Sequence, residues 1–408
     1  MSSFILQFHL KCRTHTIIWI QIHFVERQTP KSIKSPSNLN TYLGATIYKP
    51  IEFGLSLLNT MFCRKQNGPK GSAWAAKLAS ATAHAPLSVP QPRMFFSILR
   101  HLGQASVKEK CFLLLGILCS PNSMRKWFAA VDNICQHAFL RKIPFDLASK
   151  PTHKFLHSAL RPAQRSRVLI SHYDILLRVL GGKRVHGLIG GHDLLLATLT
   201  GKSGRRYELR LERSPTWSGR EGELTCRLLA QNEWATVATL SFAVGAARRE
   251  GPIWLWIGGL QGSARQYGKS FTVQVTRDLF GLRPKDLLMH AVYALKEHFG
   301  ASEIAATSNF GHVGRGIFGL RRWTADYDLY WTELGGKADG RYTFKLPPRL
   351  RRRSAKEVVA AKRSAWRARH ALIDEMLEDL SKFRFRACRQ PEDSARPSLG
   401  ALEYGNHV

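Results

Sequence analysis

Apolar positions follow a helical spacing in the first half of this chain and switch to alternation near residue 193. Residues 124–136 place Trp127, Phe128, Val131, Ile134 and Cys135 on one face, at the i, i+3/i+4, i+7 spacing of an amphipathic helix. Residues 163–180 repeat it with Val168, Leu169, Tyr173, Leu176, Leu177 and Leu180, and Gly181-Gly182 is placed to stop that helix. Beyond 193 the period falls to two. Residues 194–199 and 207–211 flank Gly201-Lys202-Ser203-Gly204, which predicts a hairpin. Tyr207, Leu209 and Leu211 alternate with Glu208, Arg210 and Glu212, so one face of the ribbon is expected to be wet. Residues 223–228 and 235–244 continue the meander across Gln231-Asn232. Residues 253–257 are apolar throughout, as expected of a strand covered on both faces. That strand is expected to empty into a glycine turn, Gly258-Gly259-Leu260-Gln261-Gly262.

Gly281-Leu282-Arg283-Pro284 then opens a helix by ordinary rules, with Pro at its first position, Asp286 in the first turn and Gly300 past the end. Leu287, Leu288, Ala291, Val292, Leu295 and Phe299 form its core face. A short strand ends in Ser308-Asn309. Asp326, Tyr327, Asp328, Tyr330 and Trp331 read as one turn or half-buried strand. A long basic helix is expected over about 355–383, with Trp366, Leu372, Met376 and Leu380 between Lys and Arg.

Residues 1–93 differ: only Glu26 and Glu52 are acidic, and no period holds for two helical turns. They are expected to form a poorly ordered extension or a mis-assigned start, with Met94 as the initiator. The expected division is 1–93 extension, 94–182 helical layer, 183–345 sheet domain, 346–385 basic C-terminal helix and 386–408 disordered tail. The fold class expected is α+β, a helical N-terminal layer on a mixed, mostly antiparallel sheet.

Charge changes the picture. The 408 residues hold 61 Lys+Arg against 29 Asp+Glu, a net +32. Such a balance attracts polyanions: nucleic acid, an anionic membrane face or acidic glycolipid. Arg349, Arg351, Arg352 and Arg353 are the candidate polyanion contacts, against the plainer reading of a solvated basic face. The seven cysteines are scattered, with no C-x-x-C pair and no zinc spacing, so no metal site is expected. No run approaches the ~18 apolar residues of a spanning helix, and no cleavage site follows a continuous apolar region. The expected location is the cytoplasm, with the inner membrane face within reach of the basic segment. The absence of G-x-S-x-G and P-loop patterns argues against the common hydrolases and NTPases.

Several residues could carry chemistry. Gly258, Gly259 and Gly262 permit close backbone approach to a ligand, with Gln261 and Arg265 suited to an anionic group; a plain tight turn would need the same glycines. Arg283 and Lys285 stand at a helix N-terminus, where cations and free N–H groups converge. Asn309 and His312 follow a strand end, where open sheets hold ligands, and His312 is a candidate general base. Asp326, Tyr327 and Asp328 offer carboxylates and a phenol, though packing alone would also produce that pattern.

From about 94 to 383 the chain resembles the bacterial VirK/YbjX family. The likeness rests on Arg125-Lys126-Trp127, His172-Tyr173, Ile257-Gly258-Gly259-Leu260-Gln261-Gly262 and Gly281-Leu282-Arg283-Pro284-Lys285. It continues in Ser308-Asn309, Gly311-His312-Val313, Ala325-Asp326-Tyr327-Asp328 with Trp331, and Arg369-His370-Ala371-Leu372. The resemblance implies a setting in virulence, envelope integrity and stress or antimicrobial-peptide response, with no agreed activity. A weaker likeness in element order is to the GNAT acyltransferases. It implies an acyl-CoA or acyl carrier protein donor held on backbone N–H groups at a helix N-terminus. It also implies a carboxylate to accept an amine proton and a tyrosine to protonate the leaving thiolate. Residues 261–268 depart from that superfamily's glycine spacing, and two helices rather than one separate the strands. An acidic carrier protein would be steered by the +32 charge. The rival reading is a non-catalytic basic protein docking anionic lipid or nucleic acid.

Overall fold

The computed structural model describes residues 3–11, 17–25, 113, 116–117 and 120–385, except 142–143, 216–217, 232–234, 315–325, 353 and 384. The chain divides into two units, residues 1–88 and 89–408. In the first, β1 (Ser3–Lys11) pairs antiparallel with β2 (Ile17–Val25). Both are rich in the β-branched and aromatic residues that suit strands, although only a poorly ordered extension was expected there.

From residue 121 the second unit contains α1 (Pro121–His137), α2 (Phe145–Ser149), α3 (Pro162–Val179) and α4 (Gly182–Ile189). Gly181, at φ 80°, turns the chain from α3 into α4, so the glycine pair redirects the helix rather than ending in a loop. An antiparallel meander follows: β3 (Leu194–Thr200), β4 (Arg206–Arg213), β5 (Leu224–Ala230), β6 (Ala235–Gly245) and β7 (Trp254–Gln261). Two helices, α5 (Gly268–Asp278) and α6 (Pro284–His298), lead to β8 (Glu303–Thr307). The chain continues through α7 (Tyr327–Glu333), β9 (Lys337–Asp339), β10 (Thr343–Lys345) and α8 (Arg363–Lys382).

The result is a mixed fold with an open eight-stranded sheet in the order β3-β4-β5-β6-β7-β8-β10-β9. Every neighbouring pair is antiparallel except β7 and β8, which are connected through α5 and α6. Three expected elements differ. Gly258 and Gly259 lie inside β7 rather than in a turn after it. Residues 327–333 are helical, because Asp326 accepts the Leu329 N–H as an N-cap and outweighs the alternating pattern. Residues 355–362 form two short 3₁₀ turns before α8 begins at Arg363.

One hydrophobic core runs from α1 through the sheet to α8, which packs on β3 and α6. The helical layer is also pinned by charge. Glu223, 1% exposed, receives Lys150 Nζ at 2.7 Å, the Tyr173 hydroxyl at 2.6 Å and Arg213 Nε at 3.2 Å. Burial pushes its carboxyl up, but Lys150 and Arg213 overcome this and hold it at about 2. Arg213 also reaches Asp146 of α2, so one carboxylate ties α2, α3, β4 and β5 together.

Candidate functional site

The parallel pair β7/β8 is in register from Trp254↔Glu303 to Ile257↔Ala306, and there the pairing stops. β7 runs on to Gln261, still bonded to β6 along its other edge. The β6/β7 register shifts between Phe242↔Ile257 and Ser241↔Gly259, making Gly258 the extra residue of a β-bulge. Beyond Ile257 the freed edge of β7 faces α7, and the Leu260 N–H donates to the Tyr327 hydroxyl at 3.2 Å.

The glycines of this segment serve different purposes. A Cβ on Gly258 would overlap the Glu221 carbonyl, and one on Gly259 would overlap the Glu221 carboxylate. The space beside both glycines is therefore filled by Glu221, by its backbone at Gly258 and by its side chain at Gly259. Gly262 differs: an added Cβ there meets nothing within 4 Å. It borders a groove of about 420 Å³ between the ends of β6 and β7, α5 and the start of α6. Val237 and Val273 give the groove apolar walls, and Arg277, Arg283 and Lys285 line it with cations. Arg283 is occupied by Asp286 at 2.7 Å and Glu333 at 3.1 Å, and the Asp286 hydrogen bond raises its pKa. Among the described residues no carboxylate forms an ion pair with Lys285. Burial, and then Arg283, lower its pKa. The side chain of Arg265 lies outside the described residues.

Glu221 is the residue that sequence reasoning missed. It is 7% exposed, and Gln261 Nε2 donates to both its oxygens at 3.2 and 3.0 Å. His312, 1% exposed, brings Nε2 to 3.3 Å from Glu221 Oε1. The Gly314 N–H donates to His312 Nδ1 at 3.1 Å, which orients the ring with Nε2 toward Glu221. His312, expected as a general base, therefore sits beside a carboxylate rather than at an open strand end. Segment 156–158 holds the two together: the Leu156 N–H donates to Arg220, the Ser158 N–H to Gly311, and His157 bridges His312.

Tyr327 is nearly parallel to the His312 ring at 5.3 Å and to the Trp331 ring at 6.0 Å. Burial and then Glu221 raise its phenol pKa, so it keeps its proton near neutral pH. Asp326, Asp328 and Asn309 place it. The Asn309 side chain accepts the Tyr327 N–H at 2.8 Å and donates to Asp326 at 2.7 Å, while the Asn309 N–H donates to Asp328 at 2.7 Å. These hydrogen bonds fix the start of α7 against the end of β8. The structure therefore gathers Gly258, Gly259, Gln261, His312 and Tyr327 around Glu221, and sets Gly262, Arg283 and Lys285 around the groove.

The basic candidates lie elsewhere. Arg349 is exposed, Arg351 pairs with Glu357 at 3.3 Å, and Arg352 pairs with Asp374 at 2.9 Å. Arg353 is outside the described residues. No group of three or more potential metal ligands occurs among the described residues, and none of their helices is long and apolar enough to cross a membrane.

Residues 103–382, a span that contains every residue of this cluster and groove, match the family model described as "Protein of unknown function (DUF535)". The chain belongs to this family. It is similar to the "Uncharacterized protein YbjX" of Escherichia coli K12, at 27% identity over 223 residues, which cover 54% of this chain and 66% of that one. It is also similar to an "Uncharacterized protein" of Haemophilus influenzae, at 25% identity over 131 residues, 31% of this chain and 43% of that one. The VirK/YbjX likeness read from scattered motifs is thereby upheld. No solved structure matches the chain.

Proposed function

We propose that this DUF535 protein is an acyltransferase that takes an acyl group from a thioester of coenzyme A or acyl carrier protein. The observation that carries the reading is the parting of β7 and β8 after Ile257 and Ala306, with the Leu260 N–H and the Tyr327 hydroxyl meeting in the gap. The sheet order, antiparallel up to a parallel pair joined through helices, supports the acyltransferase likeness of the sequence. In this reading the thioester carbonyl takes the Leu260 N–H in place of Tyr327, and the displaced phenol protonates the leaving thiolate. The donor's phosphates lie near Lys285 and the N-terminus of α6, where free N–H groups favour anions, and its linker runs along the groove past Gly262. Titration calorimetry of the full chain with coenzyme A, octanoyl-coenzyme A and octanoyl carrier protein tests this. Binding of a donor that Gly262→Val weakens at least tenfold supports it. No heat with any donor removes it.

A second reading is favoured by Lys356, Lys362, Arg363 and Arg367, which are all exposed at and before the start of α8. These cations would dock the protein on the anionic inner face of a membrane, each contributing on the order of 1 kcal/mol. Nucleic acid is the competing polyanion. Such docking fits a cytoplasmic protein, peripheral to the inner membrane, in envelope or stress physiology. Co-sedimentation with anionic vesicles and filter binding of DNA across a salt series separate the two. Binding to neither at low salt leaves the cations as a solvated face.

A further inference from the structure

The two faces of β7 meet different surroundings. Leu255 and Ile257 are buried on one, and Ile257 pairs with Phe242, whose ring meets Phe299 at the end of α6. Trp254 and Trp256 alternate with them onto the other face, stacked on each other at 5.1 Å and both partly exposed. From there a row of rings crosses to neighbouring segments. His157 lies 6.0 Å from Trp256 and 6.4 Å from Tyr342, and Tyr342 lies 5.3 Å from Phe310. These rings are also partly exposed. The Arg341 guanidinium closes the row, 3.4 Å from the centre of the Phe310 ring. Two of the rings are not fastened through their polar atoms. The buried Trp127 and Trp331 each donate to a backbone carbonyl, whereas Trp254 Nε1 and His157 Nδ1 have no hydrogen-bond partner.

Charge completes the pattern. The segments that carry the row, residues 154–158, 246–256, 309–313 and 341–345, contain Lys154, Arg248, Arg249, Arg341 and Lys345 against a single carboxylate, Glu250. Lys345 is paired with Glu303. The other four cations are exposed, and among the described residues no carboxylate forms an ion pair with them. We propose that this row binds single-stranded nucleic acid, with bases stacked on the rings and phosphates met by the flanking cations. A single strand alternates flat, unpaired bases with negative charge, which is the chemistry this surface complements. A duplex keeps its base faces inside its own stack, and a membrane offers phosphates without rings. The row shares no residue with the groove beside Gly262 or with the cations before α8, so it rests on neither reading above.

The test is fluorescence anisotropy of the full chain with labelled oligo(dT) and oligo(U), against a duplex carrying the same number of phosphates, across a salt series. The wild type should bind one or both single strands at least about tenfold more tightly than the duplex, and bound strand should quench tryptophan emission. Trp254→Leu keeps apolar bulk but removes the flat ring, and should weaken single-strand binding at least about fivefold while leaving duplex binding unchanged. If that variant fails to fold, Tyr342→Leu should act in the same direction. Arg341→Ala should weaken binding and lower the salt slope by about 0.7 for the lost phosphate contact. Equal affinity for duplex and single strand, no binding at low salt, or undiminished single-strand binding by folded Trp254→Leu and Tyr342→Leu overturns the assignment. Co-sedimentation with anionic vesicles that the same leucine variants abolish would also overturn it, making the row a lipid contact.

Discussion

Glu221 and Glu223 sit two residues apart before the same strand and are both buried, yet their surroundings are opposite. Glu223 is enclosed by Lys150, Arg213 and the Tyr173 hydroxyl, all drawn from the helical layer and β4. Glu221 lies against Gly259 of β7, accepts hydrogen bonds from the Gln261 amide and has the His312 imidazole 3.3 Å away, with no lysine or arginine paired to it among the described residues. The difference teaches how to sort buried charge. A carboxylate enclosed by lysine and arginine fastens several elements together, whereas one held by an amide and an imidazole joins only the segments that carry them.

The largest effect should come from breaking the fastener. Glu223→Gln leaves Lys150 and Arg213 without their buried partner and is expected to cost about 3–5 kcal/mol of stability, measured by urea unfolding. Glu221→Gln should move the urea midpoint far less, so equal losses in the two variants would break the comparison. The pH dependence has the same origin. The folded-state pKa of Glu223, about 2, lies below its ordinary 4.5, so its stabilisation is complete above about 4.5 and is lost as pH falls toward 2. Glu223→Gln should flatten the acid limb of the stability curve over that window.

The glycines sharpen the contrast at the next level. Gly259→Ala forces a Cβ into the Glu221 carboxylate and should destabilise by about 1–3 kcal/mol, partly relieved when Glu221→Ala is added. Gly262→Ala meets open space and should leave the thermal midpoint nearly unchanged. If the two alanine variants lose the same stability, the packing account of Gly259 is wrong. Tyr327→Phe removes the acceptor of the Leu260 N–H and should cost about 1–3 kcal/mol where no water reaches that N–H. Smallest of all, Arg352→Ala breaks an exposed pair with Asp374 and should change stability by less than about 1 kcal/mol.

Much of this architecture was legible in the sequence, and the failures have a common cause. The periods of 124–136, 163–180 and 284–298 are local, and so were the alternation of the meander and the glycine–proline signals between elements. Asn309 and His312 drew attention because they follow a strand end, and Tyr327 because its phenol stands between two carboxylates. Glu221 was hidden in Arg220-Glu221-Gly222-Glu223, which reads as a charged turn. Its meaning depends on Gln261, 40 residues away, and on His312 farther still. The glycines at 258 and 259 misled for the same reason, since what fills the space beside them, Glu221, comes from the turn before β5. At α7 the cue was local, an Asp326 N-cap, but the alternation of Tyr and Asp competed with it.

The most direct measurement is thiol release from octanoyl-coenzyme A and octanoyl carrier protein on addition of an amine or hydroxyl acceptor, with wild type and Tyr327→Phe side by side. The account predicts acceptor-dependent release by the wild type and at least a hundredfold loss in Tyr327→Phe. Release by Tyr327→Phe at the wild-type rate would contradict it.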